Sequence, residues 1–177
     1  MSYPSFTTGE VLTAADMNAV GLWLVKSETI GTGVSSVTVT DAFNANYDHY
    51  LVTIAGQSST AINNLLFQLS GATGSSYFTN LMYWSWGSAT LSGYGPSATT
   101  SSVICQLYTG LPYAVSLQLF NPNSVSRTYG FLSQTGANNG GVGQIMETSS
   151  AQHTGFTITP STGTITGGTI CVYGYRN

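Results

Sequence analysis

The residues best suited to catalysis or metal binding are few in this chain of 177 residues. It contains two histidines, His49 and His153, and two cysteines, Cys105 and Cys171. No H-x-H, H-E-x-x-H or C-x-x-C spacing brings them together, so a zinc site would need single ligands from distant segments. Asp48 precedes His49, but neighbouring side chains of an extended strand point to opposite faces. We interpret these two as solvated residues at a strand end, and we predict no metal and no cofactor.

The chain has few of the residues that hydrolysis or phosphate binding requires. No G-x-S-x-G elbow singles out a nucleophile among the 23 serines, although number alone does not exclude a Ser-His-Asp triad. A glycosidase needs two carboxylates roughly 5 to 10 Å apart, and only Asp41, Asp48 and Glu147 lie beyond the first predicted strand. Lys26 follows Val25 and not a glycine-rich phosphate loop. We predict no catalytic residues and a protein that is not an enzyme.

Scarcity of charge narrows the classes of partner. Three basic and six acidic side chains make 5% of the chain, against about 25% in an ordinary soluble domain. Binding of nucleic acid or of an anionic membrane surface requires clustered Lys and Arg, so both are disfavoured. No apolar window approaches the roughly 20 residues that span a bilayer, and the first residues lack the features of a signal peptide. We expect Cys105 and Cys171 to be buried free thiols, with a single disulfide as the alternative.

Most of the chain has the pattern of short strands. Alternation of apolar and polar residues is clear in segments such as 37–40, 50–55, 65–69, 115–119 and 156–159. Clusters of Gly, Asn, Ser and Pro separate about ten such segments at intervals of roughly 8 to 14 residues. Spacing of this kind without long helical patterns predicts an all-β fold over residues 22–177, an antiparallel jelly-roll-like sandwich.

Residues 1–21 differ from the rest and predict an N-terminal arm followed by a short helix. Thr13 and Asp16 form a capping box, and Gly21 ends the helical run. One or two helical turns are unstable alone, so this helix must dock on the body of the chain or on a partner. Candidate attachment residues are Tyr3, Phe6, Leu12 and Met17.

An aromatic segment at residues 77–87 supplies the best binding signal. As a strand it places Met82, Trp84 and Trp86 on one face and Tyr83 on the other, before a loop-like run over 88–102. One interpretation is that one of these faces packs in the core and the other packs against a neighbouring subunit. The other is that Trp84, Trp86 and Tyr94 form an exposed platform for a sugar ring, with hydrogen bonds from Asn80 and nearby hydroxyls. The candidate contact residues are Asn80, Tyr83, Trp84, Trp86 and Tyr94.

The low charge also bears on assembly. Sheet edges and faces that carry hydroxyls and amides instead of charges are poorly protected against other copies of the same chain. Ser and Thr together make 48 of the 177 residues. We therefore expect a homo-oligomer, with a monomeric secreted β domain as the alternative.

Phrases at both ends of the chain resemble bacteriophage virion proteins. The segment 8–18, T-G-E-V-L-T-A-A-D-M-N, is similar to a phrase near the virion-attached end of tail fibres. The segment 168–177, G-T-I-C-V-Y-G-Y-R-N, is similar to the terminal strand of phage virion β-sandwich domains. The strand at 47–54 and the following segment 65–71 resemble a further part of the same pattern. The resemblance implies a non-enzymatic virion component, commonly a trimer.

From these observations we predict a phage structural protein, located in the virion and assembled in the host cytoplasm. The preferred role is a tail fibre or appendage, with residues 1–20 attaching to other virion proteins and distal loops meeting a host surface glycan. A head-decoration or head-fibre protein is the alternative. A free carbohydrate-binding module is the alternative from another class.

Overall fold

The computed structural model describes Gly9 and residues 21–88 and 90–175. Within them the chain forms twelve β-strands and no helix. The strands are β1 (Leu22–Thr29), β2 (Val37–Val39), β3 (His49–Ser59), β4 (Asn63–Leu69), β5 (Tyr77–Ser85), β6 (Leu91–Tyr94), β7 (Ser102–Leu107), β8 (Tyr113–Phe120), β9 (Thr128–Gly136), β10 (Asn139–Glu147), β11 (Phe156–Pro160) and β12 (Ile165–Tyr175).

These strands form two antiparallel sheets. The large sheet has eight strands in the order β1-β12-β3-β8-β9-β10-β5-β6, and the small sheet has four in the order β2-β11-β4-β7. Most strands alternate between buried and exposed residues because one face of each sheet is packed on the core. The prediction of an all-β fold of antiparallel sheets is therefore confirmed.

The core lies between the two sheets and includes an aromatic cluster that joins them. Phe156 of β11 stacks on Phe43 with ring centroids 5.8 Å apart and lies 5.1 Å from Phe67 of β4. Phe43 meets Tyr50 of β3 edge-on at 4.9 Å, so the contacts run from the small sheet to the large one. The Tyr50 hydroxyl donates to the carbonyl oxygen of Asn44 at 2.7 Å, which satisfies the only polar group of that buried ring.

Two details of the sequence analysis are corrected by the structure. The run over 88–102 is not all loop, since β6 lies within it and pairs with β5. His49 is not a solvated strand-end residue. It is half-buried, and its ring packs edge-on against Phe120 with centroids 4.0 Å apart. β6 was missed because a short polar strand gains its stability from neighbouring strands and not from local pattern. The position of His49 was missed because its contact, Phe120 of β8, is distant in the sequence.

Candidate interaction surface

The outer face of the large sheet carries no charged side chain in the described part of the chain. The six charged residues described there lie in loops, at core-side positions of the edge strand β1, or inside the protein; they are Lys26, Glu28, Asp41, Asp48, Arg127 and Glu147. An eight-stranded face without one charge is unusual for a surface that must stay in water. We call it the neutral face.

Aromatic and apolar side chains are concentrated toward one end of the neutral face. Cross-strand pairing there aligns Leu22, Tyr175, His49, Phe120, Tyr129, Met146 and Phe78 in one row across seven strands. The next row is Leu24, Tyr173, Leu51, Gln118, Phe131, Gln144 and Asn80. Phe120 and Phe131 meet edge-on at 5.7 Å between the rows. The His49 ring contacts Phe120 and Tyr175, so these four rings form a continuous surface.

Large apolar side chains of these rows are exposed on β1, where Leu24 is 57% exposed, and in a second group on β9, β10 and β5. Phe131 is 51% exposed and Tyr129 is 46% exposed, and Met82 and Val142 are exposed beside them. A groove of about 520 Å³ runs between the Tyr129 and Phe131 side chains and the segment 95–97. Large apolar residues clustered on a surface, in contrast to single ones, mark sites of association.

Trp84 and Trp86 meet at the opposite end of the same strands. A Cβ atom on Gly140 would lie 3.2 Å from the Trp86 ring and 3.6 Å from the Trp84 ring, so both indoles pack over this glycine. The Trp86 Nε1 group donates to the carbonyl oxygen of Gly136 at 3.0 Å and ties the two hairpin ends together. Trp86 remains 55% exposed, and Leu91, which pairs with Trp84, is 60% exposed.

The other predicted contact residues are not all part of this corner. Asn80 shares the outer face of β5 but lies in the second aromatic row, four residues before Trp84 along the strand. Tyr83 and Tyr94 lie on the core side of the sheet, where they line a cavity of about 190 Å³. The structure therefore brings Trp84 and Trp86 together and places Tyr94 elsewhere.

Residues 1–8 and 10–20 lie outside the described part of the chain. The predicted helix, the attachment residues Tyr3, Phe6, Leu12 and Met17, and the domain boundary at residue 21 stay predictions.

A buried polar pair was missed by the sequence analysis. His153 Nε2 lies 3.1 Å from Glu147 Oε2, and both side chains are at most 1% exposed. His153 Nδ1 donates to the carbonyl oxygen of Ser70 at 2.6 Å, and the Ser149 amide donates to Glu147 Oε1 at 2.8 Å. The signal was available, because Glu147 follows Ile145 by two residues in a strand and so shares its inward face.

The environment of Glu147 favours the ionised carboxylate. Burial alone would raise the pKa of this carboxyl, but the hydrogen bonds it accepts, including those from Ser149 and His153, lower the pKa below its ordinary value of 4.5. With the carboxylate ionised, His153 Nε2 donates the shared hydrogen bond. The pair joins the loop after β10 to the end of β4 and thus links the two sheets.

Both cysteines are free thiols, in agreement with the preferred expectation. Cys105 is buried, and burial raises its pKa to about 12, which makes its thiol inert at neutral pH. The expectation that Cys171 is buried is wrong. Its side chain is only half-buried, because it faces outward from β12, and its sulfur lies 3.8 Å from the Ser27 hydroxyl.

No group of three or more metal-ligating side chains occurs among the residues that the structure describes. In the same part of the chain there is no helix of the length and apolar character needed to cross a membrane. Neither the protein-family models nor the curated proteins with which the sequence was compared gave a match.

Proposed function

We propose that this chain is a non-enzymatic structural protein of a bacteriophage particle that works as a homo-oligomer, preferably as a tail fibre or appendage. The observation that carries the proposal is the neutral face, where aromatic rows and hydroxyl groups replace charges over eight strands. Such a face is stable when another copy of the chain covers it. The resemblance of both chain ends to phage virion proteins supplies the biological setting.

We also infer that the two-sheet fold is a jelly roll with two insertions. When β5, β6, β9 and β10 are set aside, the sheets reduce to β1-β12-β3-β8 and β2-β11-β4-β7. Along the chain these eight strands alternate between the sheets, except that β4 and β7 are neighbours in the small one. This order supports the double Greek-key winding found in viral capsid domains.

The size of the neutral face supports contact with a second copy. Eight strands about 4.8 Å apart and four rows about 6.7 Å apart give a face of about 1,000 Å². A stable interface buries about 800 Å² on each partner. The exposed aromatic residues of β9, β10 and β5 would form its apolar centre.

Native mass measurement at micromolar concentration tests the oligomer directly. We expect the mass of the 177-residue chain to exceed its 18.5 kDa monomer mass, with a trimer preferred. We expect Phe131→Glu to weaken self-association by about 100-fold or more, because it places a charge in a desolvated aromatic contact. A monomeric wild-type protein would contradict the proposed oligomer.

Thr157→Glu is the matched control for this variant. Thr157 lies on the outer face of the small sheet, where its hydroxyl is 3.0 Å from that of Thr38. The control should keep the wild-type mass. If Phe131→Glu also keeps the wild-type oligomer mass, the interface lies elsewhere. That result would contradict the use of the neutral face as the interface but not the oligomer itself.

The position in the particle separates the two phage roles. Electron microscopy of intact particles should place the chain on the tail if it is a fibre, and on the capsid if it is a head-decoration or head-fibre protein. Deletion of residues 2–20 should leave the oligomer intact and prevent incorporation into particles. A free carbohydrate-binding module would instead keep its ligand affinity and would not be found in particles.

The Trp84–Trp86 corner favours a second role, contact with a host surface glycan. Two adjacent indoles, one of them 55% exposed, present an apolar surface on which the C–H face of a sugar can stack. We expect the Trp84→Ala/Trp86→Ala double variant to reduce adsorption to host cells by about 30-fold, the effect of losing an aromatic hot spot.

The control for this variant is Val125→Ala, which removes an exposed apolar side chain far from the indoles in sequence. It should adsorb like the wild type. A correctly assembled double variant that adsorbs normally would remove the glycan role from this corner.

A further inference from the structure

The cavity on the core side of β5 and β10 has the properties of a preformed binding site. Four amide side chains, those of Asn64, Gln106, Gln134 and Asn139, line it together with Tyr83 and Tyr94. Tyr94 is exposed whereas Gln134 and Asn139 are buried, so the cavity leads from the surface inward. Among the described residues, no charged side chain lines it.

Two polar atoms of this cavity have no hydrogen-bond partner among the described residues. They are Gln134 Nε2 and Asn139 Oδ1, and the two side chains are only 5% and 1% exposed. Buried polar groups in native proteins are nearly always paired. An unpaired donor and an unpaired acceptor in one cavity therefore point to a ligand that offers both.

The opposite ends of the two amides are already bound to the protein. The Cys105 thiol donates to Gln134 Oε1 at 3.3 Å, and Asn139 Nδ2 donates to Gln106 Oε1. The Tyr108 hydroxyl donates to the same Gln106 oxygen at 3.0 Å. These bonds use one end of each amide and leave Gln134 with an unpaired donor and Asn139 with an unpaired acceptor.

We propose that this cavity binds one neutral sugar ring of hexose size. A sugar hydroxyl can accept from Gln134 Nε2 and donate to Asn139 Oδ1, which pairs both orphaned atoms. The Tyr83 and Tyr94 rings supply apolar surface for the C–H groups of the sugar. The volume of about 190 Å³ is below the roughly 300 Å³ of pockets for larger ligands, so a single ring fits better than an oligosaccharide.

This site is separate from the structural role and from the Trp84–Trp86 corner. It lies on the core side of the large sheet, whereas the indoles and the neutral face lie on the outer side. Binding should therefore be the same in the monomeric and the assembled protein.

The test is a titration of the full-length protein with glucose, galactose, mannose and N-acetylglucosamine, followed by nitrogen-15 NMR. We expect one of them to shift the amide signals of residues 139–141, with a dissociation constant on the order of 1 mM for so few hydrogen bonds. Gln134→Met keeps the shape and removes the free donor, and it should weaken binding by about tenfold or more. The same sugar should bind the Trp84→Ala/Trp86→Ala variant normally.

One control variant and one second test variant accompany Gln134→Met. Gln118→Met makes the same exchange on the outer face of β8 and should bind like the wild type. Tyr94→Ala changes an exposed residue at the cavity, is not expected to disturb folding, and should also weaken binding. No shift with any of the four sugars, or shifts that Gln134→Met and Tyr94→Ala leave unchanged, would overturn the proposal while leaving the oligomer untouched.

Discussion

Replacing Glu147 with alanine should lower the free energy of unfolding by about 3–5 kcal/mol, the usual cost of removing one partner from a buried ion pair. The variant leaves His153 Nε2 buried without its partner at 3.1 Å and the Ser149 amide without its acceptor. Urea denaturation at one fixed protomer concentration measures the difference, because oligomers gain apparent stability with concentration.

Glu28→Ala is the control for this variant, since Glu28 lies on the edge strand β1 and a change at such a position should stay within about 0.5 kcal/mol. The double variant Glu147→Leu/His153→Phe should recover part of the loss, because both polar partners leave the core together. A Glu147→Ala protein as stable as the wild type would show that the pair contributes nothing to folding.

The same pair predicts sensitivity to acid. The pKa of Glu147 is lower in the folded protein than its ordinary value of 4.5, so the folded state binds this proton less readily than the unfolded state. Its contribution is therefore fully present above about pH 5 and is lost as the pH falls below 4.5 and through the lowered pKa. Stability curves between pH 3 and pH 7 should fall less steeply for Glu147→Ala than for the wild type. Parallel curves would contradict this expectation.

Phe156→Ala should have an effect of similar size, a loss of about 3–5 kcal/mol. The side chain is fully buried and contacts both Phe43 and Phe67, so its removal opens a cavity where the small sheet meets the large one. The urea midpoint should fall with little change in the slope of the transition.

Thr159→Ala, on the same strand but the opposite face, is the matched control and should cost less than about 1 kcal/mol. Phe156→Leu should lie between the two, because leucine fills most of the cavity. Equal effects of the Phe156→Ala and Thr159→Ala variants would mean that the core is not organised around this ring.

The strands were predictable where alternation is strict. The segment 115–119 lies within β8 and 156–159 within β11, and in both the apolar residues face the core. β6 was missed because Leu91-Ser92-Gly93-Tyr94 has no apolar alternation and is held as a strand by pairing with β5. Strand order could not be predicted, since pairing partners such as β5 and β10 are far apart in the sequence.

The candidate sites show the same division between local and distant information. Trp84 and Trp86 were predictable from one segment, and the structure adds Gly140, a residue more than 50 positions later, as the surface beneath them. The neutral face and the cavity on the core side of β5 and β10 each combine residues of several strands. Gln134 and Asn139 gave no signal in the sequence because uncharged amides are common throughout this chain.

The four strands that widen the large sheet have a consequence for how this domain can be altered. They come from two separate stretches, residues 77–94 and 128–147, yet they form one uninterrupted run, β9-β10-β5-β6. Excision of the 128–147 hairpin would strip β5 of its ladder with β10, while excision of 77–94 would leave β10 as a bare edge. The two stretches therefore behave as halves of a single module, and a minimal version of the domain must lose both or neither.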